Sequence, residues 1–307
     1  MREPANPLLR PGNSNCGGCG MSSAFQLLGR AAVGRRLQLV IPASCAAVTV
    51  GPFPFSALGA PVLLSTFASA AAAASGLAHV ARLNGEPTRV VCWVGDGGTY
   101  DIGMATLSAA AERNEDILYV CYDHEIYGNT GGQRSSATPV GASTANTPSG
   151  KGEPKKDILR IIAAHRIPYA ATLSLGHPED AVRKIARALD VTGFRFVHIL
   201  SPCPMGWKSE PALGIELVRL AVRSGLFPVL EVFEGRRLAI NIEPEFSQEA
   251  LARYLSLQRR FQRSGLKPSD LQPMIDEHWR GLRAWARELT PSAAATSCPP
   301  TPAPCTE

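Results

Sequence analysis

The sequence predicts an α/β fold built on a doubly wound, mainly parallel sheet, and three observations lead to it. Short β-rich runs alternate with helical patterns from Met21 to Leu200. The runs are continuously apolar, as strands covered by helices on both faces are. After Phe227 the alternation gives way to a hairpin and then to amphipathic helices.

Taken in order, a helix over Met21 to Val33 precedes a strand over Leu37 to Ile41. A small-residue helix over Thr66 to Leu83 follows, suited to close approach of other backbones. Next come a strand at Arg89 to Val94, a helix at Ile102 to Arg113 and a strand at Ile117 to Tyr122. The pattern continues with a helix at Asp157 to Ala164, a strand at Tyr169 to Leu173, a helix at Glu179 to Leu189 and a strand at Phe194 to Leu200. LFPVLEVFEGRRLAINIEP reads as the hairpin, and Ser247 to Gln262 and Ser269 to Leu289 as the closing helices. Residues 1–289 are expected to form one domain. The tail 290–307, Pro/Ala/Ser/Thr-rich and poor in large apolar residues, is expected to be disordered, which sets aside Cys298 and Cys305.

With 31 Lys+Arg against 26 Asp+Glu the net charge is only +5, and the basic residues are scattered, so nucleic acid is not implied. MREPANPLLRPGN has Pro and Gly where a secretory signal needs an unbroken apolar segment, which predicts a cytoplasmic protein with reduced cysteines. Ala57 to Val80 carries no acid, Lys or Arg, but its small residues and Gly59, Pro61 and Gly76 argue for a buried helix instead of a membrane span. Cys92 and Cys121, inside apolar strands, read as core thiols.

Parallel strands joined by helices end on one edge, where ligands of open α/β sheets bind. Cys45 follows the first predicted strand, Asp96 ends the second, Asp123 and His124 end the third and Cys203 follows the fifth. Gly95-Asp96-Gly97 and Asp123-His124 are separated by 25 residues, 98 to 122, room for one crossover helix between neighbouring strands. Asp96 and His124 can then share a hard cation such as Mg²⁺, completed by water and substrate phosphates. The flanking glycines would admit a diphosphate, and the helix expected from Ile102 would offer its N-terminal N–H groups.

GDG followed at this spacing by a polar pair resembles the thiamine diphosphate signature. The continuation IYGNTGGQRSSATPVGA resembles the β subunit of pyruvate:ferredoxin oxidoreductase and its 2-oxoacid relatives, over roughly residues 13 to 262. The resemblance implies a thiamine diphosphate-binding domain in which Asp96, His124 and the backbone carbonyl of Ile126 hold Mg²⁺. Gly18, Gly95, Gly97 and Gly98 would border the cofactor, with Asn129 and Thr130 against the diphosphate and the 2-oxoacid at the reacting end. The sequence departs from the family pattern at His124, where Asn or Thr is usual. Imidazole suits Mg²⁺ less well than oxygen, so a direct bond and a contact through water or phosphate are both open.

The Cys16-Gly17-Gly18-Cys19 pair precedes a helix, and alone it suits zinc, a redox disulfide or an iron-sulfur cluster. Cys45 and Cys203 add two thiols from the same edge, and four suit a [4Fe-4S] cluster. The family resemblance implies the same, with Ser201-Pro202-Cys203-Pro204 as the distant ligand segment. It further implies oxidative decarboxylation of a 2-oxoacid, pyruvate in preference, with coenzyme A as acyl acceptor and electrons passing from thiamine through the cluster to ferredoxin. CGGCG and SSATP carry the preference for pyruvate. Partners would be an α subunit with the aminopyrimidine-binding domain and ferredoxin-like γ and δ chains. The rivals are a non-oxidative thiamine-dependent decarboxylase or synthase, and a zinc-stabilised scaffold subunit with a degenerate thiamine site.

The remaining histidines, His79, His165, His177, His198 and His278, read as surface or satisfied core, and Trp93 and Trp207 as packing residues. Arg134 would meet a carboxylate, a coenzyme A phosphate or a partner's acid, and Glu125 would orient His124 or meet an arginine of the partner.

Overall fold

The computed structural model describes residues 7–52 and 54–289. The predicted tail 290–307, with Cys298 and Cys305, lies outside the described residues.

Among the described residues, eight strands form one sheet in the order β2-β1-β3-β4-β6-β5-β7-β8. They are β1 (Arg36–Pro42), β2 (Val62–Ser65), β3 (Thr88–Gly95), β4 (Ile117–Asp123), β5 (Tyr169–Ser174), β6 (Arg195–Leu200), β7 (Val229–Phe233) and β8 (Arg237–Ile242). The first six are mutually parallel, whereas β7 pairs antiparallel with β5 and β8 antiparallel with β7, as the hairpin pattern predicted. Every residue of β4, β5 and β6 is buried, which requires cover on both faces and accounts for their unbroken apolar runs.

Among the described residues the cover comes from ten α-helices: α1 (Gly20–Ala31), α2 (Cys45–Thr49), α3 (Ala70–Leu83), α4 (Met104–Glu112), α5 (Ile158–Ala163), α6 (Pro178–Asp190), α7 (Pro204–Trp207), α8 (Gly214–Arg223), α9 (Gln248–Ser256) and α10 (Pro268–Leu289). Helix α6 starts in the way its sequence dictates, with Pro178 in the first turn and Glu179 and Asp180 against the positive end of the dipole. In α3 the alanines 70, 71 and 74 are buried, and the Cys92 thiol of β3 comes within 3.5 Å of the Ala70 carbonyl. Small side chains let helix and sheet approach that closely.

Four departures from expectation have local causes. The Ala57 to Val80 stretch divides between the edge strand β2 and α3, and no helix among the described residues is long and apolar enough to cross a membrane. The helical turn expected from Ile102 starts at Gly97 as a π-helical turn and passes into α4 only at Met104. Helix α8 was not anticipated, although GIELVRLAVR buries Leu217, Val218, Leu220, Ala221 and Val222. The expected Ser247 to Gln262 helix stops at Ser256, and its last part is a separate 3-10 turn, Arg259–Phe261.

The strands β1, β3, β4 and β6 are consecutive neighbours. Their carboxyl ends lead to Cys45, Asp96, Asp123 with His124, and Cys203 respectively. The topology therefore sets the thiols and acids along one short length of sheet edge.

Candidate functional site

Three of the four thiols meet the start of a helix. Cys19 is the residue before α1, Cys45 opens α2 and Cys203 precedes α7. Backbone N–H groups are turned toward their sulfurs: Met21 and Ser22 toward Cys19, Asn129 toward Cys45, and Gly206 toward Cys203 at 3.4 Å. A methyl group placed on Gly128 would meet the Cys45 sulfur at 3.7 Å and the Cys203 sulfur at 3.9 Å, so these two thiols flank one glycine. Gly18 closes the Cys16 to Cys19 loop at a left-handed φ of 74°, and any side chain there would collide with the Pro211 carbonyl. Cys19 and Cys203 are buried, Cys45 is half-buried, and Cys16 is exposed at the rim.

Burial pushes the Cys203 thiol up to about 12 and the Cys45 thiol up to about 11, and the negative charge of the neighbouring thiolates adds to both. Cys19 is raised for the same first reason. Cys19, Cys45 and Cys203 therefore resist ionisation as they stand, and a positive centre would favour their thiolates. Among the described residues no three His, Cys, Asp or Glu side chains converge closely enough for a single metal ion. A cubane cluster spreads its ligands farther apart than one ion does, and amide N–H donors to sulfur are what such clusters use. Four thiols with amide donors are a set that a multinuclear centre could use.

The acids form the second half of the site. Asp96 is buried at the end of β3, and the Ser135 hydroxyl donates to its carboxylate at 2.5 Å. Burial first, then the charge of Asp123, raises its carboxyl well above the usual range. Asp123 is its opposite. Burial alone would raise it, but the Lys155 ammonium at 2.6 Å and the His198 ring at 2.8 Å outweigh burial and hold it well below the ordinary carboxylate value. Tyr100 donates its hydroxyl to the same oxygen at 3.2 Å, and the Glu125 N–H reaches the other oxygen at 2.8 Å. Asp123 is thus satisfied by the protein, whereas Asp96 is a buried acid short of a cation, the state a divalent ion would relieve.

Between them lies the turn 123–126. Glu125 has a left-handed φ of 57° and is pinned there by Lys155 at 2.9 Å and Arg260 at 2.7 Å. The Thr138 hydroxyl donates to its carbonyl at 2.7 Å, and the Trp207 indole donates to the His124 carbonyl at 2.9 Å. Arg260 lies over the Trp207 ring at 4.3 Å. Burial drives the His124 imidazole down to about 4, so it is neutral, and its Nε2 faces the Cys19 sulfur at 3.8 Å.

The other expected site residues distribute as follows. Asn129 and Thr130 are exposed at the same edge, and the Thr130 hydroxyl donates to Gln133 Oε1 at 2.5 Å. Gly97 makes room for the Tyr127 ring, which would overlap any side chain there, while Gly98 packs under Val94 and Phe67. A methyl group placed on Gly95 would stand 3.4 Å from the Tyr122 ring, and Ile126 is buried beside Gly206. The SSATP segment works on the acids: Ser135 holds Asp96, and Ser136 holds Asp101 through both its hydroxyl and its backbone N–H.

Sequence reasoning missed Lys155, Arg260, Tyr100 and Ser135, whose roles exist only through contacts distant in the chain. His198, expected as a satisfied core residue, is that and also a partner of Asp123. Glu125 meets an arginine, but it is Arg260 of its own chain. Trp93 stacks between Phe25 at 4.0 Å and Tyr122 at 5.6 Å as a packing residue. Tyr100, Lys155 and His198 also line a mostly apolar cavity of ≈ 600 Å³ beneath Leu271 and Met274 of α10, for which no sequence signal exists.

A mainly parallel α/β sheet with buried acids on adjoining strand ends is the architecture of thiamine diphosphate-binding domains, and comparisons agree. The family model for the C-terminal TPP-binding domain of thiamine pyrophosphate enzymes matches residues 45–199. The ketoisovalerate oxidoreductase subunit VorB of Pyrococcus horikoshii is 40% identical over 288 residues, 90% of this chain and 92% of that one. The pyruvate synthase subunit PorB of Methanothermobacter marburgensis is 38% identical over 290 residues, 92% of this chain and 100% of that one. A chain of the 2-oxoglutarate:ferredoxin oxidoreductase of Magnetococcus marinus, solved with 2-oxoglutarate, coenzyme A and succinyl-CoA bound, shares the fold. Its TM-score is 0.58 at 22% identity, over 71% of this chain and 81% of that one. The chain belongs to the thiamine diphosphate-binding β subunits of the 2-oxoacid:ferredoxin oxidoreductase family.

Removing Arg260 tests the brace on the 123–126 turn. Arg260→Met leaves buried Glu125 with Lys155 alone and is expected to cost about 3–5 kcal/mol of unfolding free energy, read by chemical denaturation. A loss below about 1 kcal/mol would mean that the turn does not depend on this pair.

Proposed function

We propose that this chain is the thiamine- and cluster-bearing β subunit of a 2-oxoacid:ferredoxin oxidoreductase that decarboxylates its substrate oxidatively, with coenzyme A as acyl acceptor. The observation that carries the reading is the gathering of the buried acid Asp96 at the end of β3 with Cys45 and Cys203, which follow β1 and β6, and with Cys16 and Cys19 of the loop before α1. Thiamine diphosphate, when bound, supplies the carbanion chemistry for loss of CO₂.

The residues of this chain have separable tasks under that reading. Asp96 and the Ile126 carbonyl bind Mg²⁺ with His124, directly or through water or phosphate, and Ser135 orients Asp96. The N–H groups opening the turn after Asp96, at Gly97 and Gly98, receive the diphosphate, and Gly18 and Gly95 border the cofactor. Asn129 and Thr130, exposed at the edge, meet the diphosphate and the 2-oxoacid. Cys16, Cys19, Cys45 and Cys203 hold a [4Fe-4S] cluster that carries electrons toward ferredoxin. An α subunit supplies the aminopyrimidine-binding domain, and ferredoxin-like γ and δ chains continue the electron path. The whole assembly works in the cytoplasm.

Pyruvate is the preferred substrate on the strength of CGGCG and SSATP. VorB relatives at 40% identity support a second reading in which a branched 2-oxoacid is taken. Anaerobic co-expression with partner subunits, followed by viologen reduction with pyruvate and 3-methyl-2-oxobutanoate, distinguishes the two. The pyruvate reading expects the higher kcat/KM with pyruvate, and a preference for the branched acid overturns it. Background iron and acid-labile sulfide, with decarboxylation but no viologen reduction, would select the non-oxidative alternative. Stoichiometric zinc without thiamine affinity would select the scaffold.

Two variants test the thiol assignment. Cys45→Ser should keep thiamine binding while abolishing viologen reduction, and unchanged reduction would remove Cys45 from the ligand set. Cys203→Ser should likewise lower iron content with little effect on thiamine affinity. Full iron loading would remove Cys203 from the ligand set.

A further inference from the structure

We infer that His124 is a positioning residue for the iron-sulfur centre: its Nε2–H donates to the Cys19 sulfur, coupling the acid-bearing turn of β4 to the thiol group and raising the cluster's reduction potential. The inference rests on the proposed cluster reading and deepens it, because it assigns to His124 a task that Mg²⁺ binding does not require.

The geometry is specific. The imidazole Nε2 lies 3.8 Å from Cys19 Sγ, with both groups buried. Its orientation is fixed from several sides. The His124 carbonyl accepts from the Trp207 indole at 2.9 Å, Trp207 is itself held under Arg260, and the ring stands edge-on to Tyr122 at 5.2 Å and 67°. The next residue, Glu125, is locked in a left-handed conformation by Lys155 and Arg260. The imidazole is therefore held with Nε2 facing the Cys19 sulfur.

The tautomer follows from the partner. A thiolate bound to iron can only accept, so the facing nitrogen must carry the proton and Nδ1 keeps its lone pair. A donor to a ligand sulfur withdraws electron density from the centre. The reduced cluster carries one more negative charge and gains more from the donor than the oxidised one, which raises the potential. Cys19 already receives backbone N–H groups from Met21 and Ser22. The imidazole adds a donor from the strand end that carries Asp123, so a shift of that turn would be felt at the cluster.

The test uses the anaerobically purified complex and EPR-monitored redox titration of wild type, His124→Asn and His124→Gln. The Gln amide nitrogen reaches the position of imidazole Nε2, whereas the shorter Asn amide does not. The Asn variant, loaded with iron and sulfide to the wild-type level, should show at least a fivefold shift toward the oxidised cluster at fixed ambient potential. At 59 mV per tenfold for one electron that is a fall of about 40 mV. The Gln variant should stay within twofold of wild type. Equal potentials in wild type and Asn variant would overturn the inference while leaving the cluster intact. Iron and sulfide at background in wild type would instead overturn the cluster reading beneath it. Pulsed EPR of the wild-type reduced cluster, with and without ¹⁵N-histidine labelling, decides the matter even if neither variant loads: a nitrogen coupling that changes with the label is expected, and its absence rejects the hydrogen bond.

Discussion

Asp123 is the fixed point of the site. A fully buried carboxylate survives in a protein interior only when its charge is answered, and here Lys155, His198, Tyr100 and the Glu125 N–H all answer it. Two of these donors come from β6 and from the segment before α5, so the ion group ties the end of β4 to elements on either side. Because Glu125 shares Lys155 and takes Arg260 as well, the turn 123–126 is held in a backbone conformation that its residues would not choose unaided. His124 and Ile126 point where they do because their neighbours are anchored.

Around this satisfied acid the structure arranges unsatisfied ones. Asp96 has a hydroxyl as its close partner and shares its surroundings with Asp123, and the thiols raise one another's resistance to ionisation. Gathering acidic groups in a low-dielectric place is costly for the protein alone. The arrangement is understandable when positive centres complete it, a divalent ion at the carboxylate and a multinuclear metal core at the thiols. Backbone N–H groups at the starts of α1 and α7, and at Asn129, already point at the sulfurs, which is preparation for thiolate charge.

Much of this was legible in the chain because local signals and topology agreed. The apolar runs of β3, β4 and β6 and the crossover lengths between them bring Asp96, Asp123, His124 and Cys203 to one edge from sequence alone. What escaped were features decided by long-range contact. Lys155 lies 32 residues from Asp123 in sequence, and Arg260 lies 135 from Glu125, so no spacing rule could pair them. The edge strand β2 is four residues in a stretch dominated by alanine and serine, too short for its own periodic signal. Helix α8 carries an amphipathic pattern of its own, burying Leu217, Val218 and Ala221. The orientation of His124 toward sulfur is a further case, since sequence fixes where the ring is attached and only packing by Trp207 and Tyr122 fixes where it faces.

The central claim is that one polynuclear centre joins the thiols of Cys16, Cys19, Cys45 and Cys203 beside Asp96. Anaerobic crystals of the assembled complex, measured on both sides of the iron absorption edge, test it most directly. The account predicts a compact iron anomalous peak bonded to all four sulfurs. Iron that is absent, or bound at positions that reach only one or two of them, would contradict it.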